Sequence, residues 1–418
     1  MPTSRDPRLA GRVAFGYANF VYYALARFFT ILTLEMLSVA VGWQVYDITK
    51  RPLDLGYVGL AQFLPGFALF LVAGHAADLL DRRRLLMWCY AGFAICSALL
   101  LTISRGAPRS VHWIYAVLVL LGVVRCFNWP VSRALLPLLV PEEHFENAVA
   151  WNASVFRIAT IAGPALGGIA YDHFRGPDGV YAMSIAACVL SLLAMFRIHP
   201  QAAIRPKEPA SLRSAVAGFR YIWEKKLILG SISLDMVAVL LGGAVALLPI
   251  YAREILHTGP WGLGLLRSAS GVGAALMAVV VAHWPIRHRA GLSMLLCVGG
   301  FGVFTILFGV SHSLIVSLAA LFLVGATDMV SVIIRATLVQ VATPDEMRGR
   351  VNAVDMMFIG VSNQLGEFES GLTAQWFGAV PAVVLGGIGT LVVTAVWGWW
   401  FPELRKANQL TAAELMAE

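Results

Sequence analysis

Four ionisable side chains stand deep inside long apolar runs: Glu35, Arg125, Asp235 and Asp328. A charge at the centre of a bilayer costs at least about 2.5 kcal/mol, so it faces a wet cavity or a partner. Glu35, Arg125 and Asp328 fall roughly 11–14 residues into their runs, which at about 1.5 Å per residue is near the midplane, and Asp235 falls roughly 8 residues in. Arg125 can pair with Asp328 or with Glu35. A dry setting favours the neutral form of a carboxylate and a nearby arginine favours the charged form. A cargo that competes for the arginine would therefore toggle the proton on the acid. The alternative is a static ion pair that holds helices together.

Other chemistries lack their residues. The nine histidines are scattered, and no HExxH, serine elbow or Walker A pattern occurs. Cys89, Cys96, Cys126, Cys188 and Cys297 lie inside apolar runs with no CxxC spacing, so they read as small buried hydrophobes. We expect no enzyme activity, no direct ATP drive, no cofactor and no metal site.

The elements that must position the four charges are helices. Of the 418 residues, 59% are hydrophobic and 13% charged, with a mean hydropathy of +0.75. A soluble domain is typically about 45–50% apolar and about 25% charged. Twelve apolar segments, each near the roughly 20 residues a bilayer requires, occupy almost the whole chain: Ala24–Tyr46, Leu55–Ala77, Leu85–Ser104, His112–Leu136, Ala148–Tyr171, Val180–Phe196, Leu227–Ala252, Trp261–Trp284, Leu292–Val310, Leu314–Val339, Val351–Phe377 and Ala382–Trp400. Segments three, six, nine and twelve hold no Asp, Glu, Lys or Arg, whereas one, four, seven and ten each carry one of the four deep charges. Uncharged helices can face lipid; charged ones line a path.

The net charge of +7 is a topology signal and implies no nucleic-acid partner. Nineteen of the thirty-one Lys and Arg fall on one side of the membrane and six on the other. The positive-inside rule puts both termini in the cytoplasm, and the polar, basic N-terminus reads as a tail rather than a cleaved leader. Residues 197–226 form the longest polar interruption, with Pro200, Pro206 and Pro209 and a basic cluster. They divide the chain into a bundle over 1–196 and a bundle over 227–418. Inside the linker, Ser211 can cap a helix in which Leu212, Val216, Phe219 and Trp223 share a face. This predicts an amphipathic strap on the cytoplasmic interface.

The halves echo each other. Arg133-Ala-Leu-Leu followed by Pro141-Glu-Glu matches Arg335-Ala-Thr-Leu followed by Pro344-Asp-Glu, at an offset of 202 to 203 residues. At 203, Gly163 pairs with Gly366, Gly168 with Gly371 and Arg125 with Asp328. Such repeats are common in transporters with midplane sites. Between segments two and three, Gly74, Asp78, Arg82 and Arg83 lie in a short turn whose charges can lock one side shut. Gly163, Pro164, Gly167 and Gly168 in segment five suit close helix packing and a kink.

These stretches, with Val39-Ala-Val-Gly-Trp43, Leu60-Ala-Gln62-Phe-Leu-Pro65-Gly and Arg133-Ala-Leu-Leu-Pro137, resemble the major facilitator superfamily. Within it they resemble the drug:proton antiporter-3 branch of enterobactin-exporter-like and macrolide-efflux-like proteins. The resemblance spans essentially the full chain. Leu79 replaces the usual arginine, Asp81 stands where glycine is usual, Glu35 stands where glutamine is expected, and the second-half loop motif near Ala282–Arg287 is degraded.

The resemblance implies an all-α integral membrane fold of 12 transmembrane helices in two pseudo-symmetric six-helix bundles. Helices 1, 4, 7 and 10 surround a cavity, the same grouping as the charge pattern. It also implies a monomer in a bacterial inner membrane that exports a small amphipathic molecule, of siderophore or drug class, against protons. Arg157, Arg267, Asp355 and Glu367 are candidate interface ion pairs. Glu367 and Glu369, two apart, cannot share a face. Arg133 and Arg335 lie near cytoplasmic ends, where long side chains snorkel. Two alternatives stay open: a lysophospholipid flippase on the same fold, and a non-transporting membrane sensor.

Overall fold

A computed structural model describes residues 11–106, 110–199, 212–286 and 288–407, apart from the side chains at 70, 71, 77, 78, 212–215 and 345. The described residues are helical, with no strand among them. Long helices occupy all twelve segments: Ala18–Thr49, Pro52–Leu79, Arg82–Arg105, Val111–Leu135, Phe145–His173, Pro177–Phe196, Lys226–Leu241, Gly259–His283, Ala290–Val310, Leu314–Val341, Asp345–Phe377 and Ala379–Trp400. Ten segments are long and apolar enough to cross a membrane. The second and eleventh helices, 28 and 33 residues long, are not among the ten. The eleventh is polar along its length, with Asn352, Asp355, Asn363, Gln364, Glu367 and Glu369, and the second includes four of the side chains outside the description.

Local chemistry sets several boundaries. The Asp81 carboxylate accepts a hydrogen bond from the Arg84 backbone N–H at 2.9 Å and so caps the third helix. The departure from glycine at that position is thus a helix start. Gly378, at φ +88°, ends the eleventh helix and lets the twelfth begin at the next residue, a conformation a side chain would strain.

The seventh segment differs from the expected single helix. Lys226–Leu241 stops at Gly242, a 3-10 turn covers Ala244–Leu247, and Tyr251–Ile255 is π-helical. A Cβ on Gly243 would sit 3.3 Å from the Gly366 carbonyl, and the Ser370 hydroxyl donates to the Gly243 carbonyl at 2.9 Å. Paired glycines free the backbone here, and a side chain from the eleventh helix satisfies the freed acceptor.

Contacts divide the chain into two units, Met1–Gln44 with Leu64–Ala210, and Val45–Phe63 with Ser211–Glu418. Residues 45–63 group with the second half because of polar and close-packed contacts. The Tyr46 hydroxyl donates to Glu254, Arg253 pairs with Asp47 at 2.5 Å, and Cβ atoms on Gly56 and Gly59 would press on Phe368 and Glu367.

The strap helix spans Leu212–Glu224. Ser211, its expected cap, lies outside the described residues. Val216, Phe219 and Trp223 are exposed on one face while Ile222 is buried, and the Tyr221 hydroxyl donates to the Ala342 carbonyl at 3.0 Å.

Candidate functional site

The sequence repeat is also a packing repeat. In the first unit, a Cβ on Gly163 would lie 2.5 Å from the Glu35 Cβ and one on Gly167 would lie 2.9 Å from the Met36 Cα. In the second, a Cβ on Gly366 would lie 2.9 Å from the Leu240 carbonyl oxygen. The fifth helix thus lies hard against the first, and the eleventh against the seventh, through glycines at matching positions. Gly163 and Pro164 are buried, as are Gly167 and Gly168. Glu35 is half-buried against that surface.

Glu35 and Arg125 belong to the first unit, Asp235 and Asp328 to the second. Arg125 is exposed and Asp328 half-buried. Asp235 is only 7% exposed, and its partner is none of the other three. Its carboxylate lies 3.5 Å from Arg335 Nε, and the Arg335 Nη1 donates to Asp355. Arg335 is 3% exposed and Asp355 8%.

Two sequence expectations change here. Arg335 does not snorkel, because two carboxylates answer its charge inside the unit. Asp355 forms its ion pair within the second unit. Asp235, Arg335 and Asp355 lie roughly 9–15 Å along their helices from Lys226, Val341 and Asp345 respectively, at about 1.5 Å per residue. One positive and two negative groups leave a net charge of −1, which a single proton cancels. Sequence reading missed the cluster because its members come from the seventh, tenth and eleventh helices. The signal available was that all three helices carry an ionisable residue at similar depth.

The loop between the second and third helices is held within the first unit. Arg82 Nη1 donates to the Ala134 carbonyl at 3.0 Å. Arg83 donates from Nε to Met195 at 3.2 Å and from Nη2 to Phe196 at 2.7 Å. These carbonyls belong to the ends of the fourth and sixth helices, where acceptors lack intrahelical partners. The two arginines therefore staple helix ends together. Gly74 lies in the helical run, and the Asp78 side chain lies outside the description.

Arg157 and Arg267 are half-buried, and so is Glu367, which backs onto Gly59. Glu369 instead accepts a hydrogen bond from Thr373 at 2.7 Å. An apolar cavity of about 400 Å³ lies beside the Arg335 turn, lined by residues including Val281, Ile286, Ile333 and Ile334, with no charged side chain lining it among the described residues.

The sequence model of the Major Facilitator Superfamily matches residues 23–366 and 245–415. The enterobactin exporter EntS of Escherichia coli O1:K1 / APEC is 27% identical over 395 residues, covering 92% of each chain. The EntS of Citrobacter koseri is equally similar. Among solved structures, a bacterial homolog of the human lysosomal transporter Spinster matches 94% of this chain and 99% of its own at a TM-score of 0.72 and 14% identity. A D-xylose–proton symporter matches 93% and 99% at 0.71 and 13%. These two likenesses concern the fold.

Proposed function

The chain belongs to the Major Facilitator Superfamily and is a multi-pass membrane transporter, and from that premise we propose that it exports a small amphipathic molecule, of siderophore or drug class, in exchange for protons. The observation that carries the proton side is the buried cluster of Asp235, Arg335 and Asp355. Burying a net charge in a low-dielectric interior is costly. A cluster one proton short of neutrality is therefore a natural place to load and release that proton as water gains and loses access. Glu35, Arg125 and Asp328 are the proposed contacts for cargo or for a second proton. The relatives named as enterobactin exporters support the outward direction and the bacterial inner membrane.

The test is flux from proteoliposomes under an imposed pH gradient, with a fluorescent amphipathic dye as cargo. Asp235→Asn and Asp355→Asn should each abolish gradient-driven accumulation while leaving downhill exchange of dye. Gradient-driven accumulation that survives both substitutions would remove the cluster from the mechanism. If no cargo moves in either mode, the export reading itself fails.

A further inference from the structure

We propose that Arg27, Trp129 and Arg133 form a binding site in the first unit for a planar aromatic group bearing a negative charge. The Arg133 guanidinium carbon lies 5.1 Å from the Trp129 ring centroid and that of Arg27 lies 6.0 Å from it. Two cations thus meet one indole ring, and Trp129 remains 43% exposed. Phe156 of the fifth helix meets the same indole edge-on, with centroids 6.1 Å apart at 77°. Among the described residues no carboxylate lies within 4.0 Å of either guanidinium.

The repeat makes this lack of acids specific. Arg133 corresponds to Arg335 at an offset of 202 and Asn152 to Asp355 at 203. In the second unit the aspartate holds the arginine. In the first unit the equivalent residue is a neutral amide, one turn from Phe156, and its buried Oδ1 has no hydrogen-bond partner. The buried Arg27 Nε and Asn128 Oδ1 also lack partners. The Tyr23 hydroxyl donates to the Ser132 carbonyl at 2.8 Å, and its oxygen also lies within hydrogen-bonding reach of the Arg27 guanidinium, whose Nε stays unpartnered. Buried polar atoms in native proteins are nearly always paired, so an unpaired Arg27 Nε beside the exposed indole marks a place that a ligand can complete.

The ligand chemistry follows from the groups present. A guanidinium offers a planar fork that fits a carboxylate or paired phenolate oxygens and also stacks on flat rings. An exposed indole face stacks on an aromatic ring. Two uncompensated cations select against a cationic cargo and for an anionic one. Treating the occupant as exported cargo rests on the preceding reading; the binding itself does not.

The test is calorimetric titration of the purified full-length chain in nanodiscs with three probes. Salicylate carries ring and charge, salicylamide the ring without the charge, and cyclohexanecarboxylate the charge without the aromatic face. Salicylate should bind about tenfold or more tightly than either, the scale of one charge-assisted contact. Arg27→Gln and Arg133→Gln should each weaken salicylate by a similar factor, with Arg133→Lys recovering part of the loss. Trp129→Leu should equalise salicylate and cyclohexanecarboxylate.

Unmeasurable salicylate binding, equal affinity for salicylamide, or unchanged affinity in Arg133→Gln would each overturn the site. The ligand comparison on the unaltered chain decides the matter even where a variant fails to fold. Salicylate binding without proton-driven flux of any cargo sinks the export reading and leaves the site. Proton-driven flux with salicylate affinity indifferent to Arg133 does the reverse.

Discussion

Arg335 answers two carboxylates at once, so its removal leaves both buried without a counter-charge. Breaking a buried ion cluster by deleting one partner costs about 3–5 kcal/mol. Arg335→Gln should therefore lower the thermal unfolding temperature of the purified protein markedly. Arg335→Lys should recover little, because an ammonium is a single point charge and cannot fork between Asp235 and Asp355. Replacing all three residues together (Asp235→Asn, Arg335→Met, Asp355→Asn) should restore much of the stability while leaving proton-driven transport absent. Stability that stays low in the triple variant would show that packing at the three positions, and not charge balance, dominates.

The glycines of the fifth helix set how near it comes to the first. With the Glu35 Cβ only 2.5 Å from where a Cβ on Gly163 would lie, no rotamer change makes room, since the first atoms of both side chains are the ones that clash. Gly163→Val should destabilise by about 1–3 kcal/mol, the usual cost of overpacking, read as a lowered melting temperature. Gly176, whose added Cβ would meet nothing within 4 Å, is the control, and Gly176→Ala should leave the melt nearly unchanged. Equal shifts in the two variants would contradict the close-packing role of Gly163. The seventh segment makes a related point: Gly242 and Gly243 end a helix that hydrophobicity alone would continue.

At the scale of the whole chain, charge asymmetry makes a prediction about orientation. The excess of Lys and Arg on one face of the twelve-segment pattern leads us to expect both termini in the cytoplasm. In a cysteine-free background, Lys406→Cys should react with a membrane-impermeant maleimide only in inside-out vesicles, and Lys50→Cys only in intact cells. Labelling of both from the same side would break the proposed topology. The two halves share a plan and differ in charge: the second keeps acids around its arginine, whereas the first sets Arg133 against the Trp129 indole and has Asn152 at the position that matches Asp355.

The sequence by itself determined the class of the molecule. Twelve apolar segments, an excess of basic residues on one side and a repeat near 203 residues suffice, because a bilayer forces backbone polar groups into helices and rewards apolar length. The helix over Leu212–Glu224 was equally legible, since amphipathic spacing is a local property. The tertiary structure alone decided which charges meet. Asp235 was visible as a deep acid, yet its partner Arg335 stood a hundred residues away and looked like a snorkelling terminus. Asp81, by sequence a departure from a motif, became a helix cap once the third helix started beside it. Pairing across helices depends on rotation and approach, which packing fixes and hydrophobic periodicity does not record.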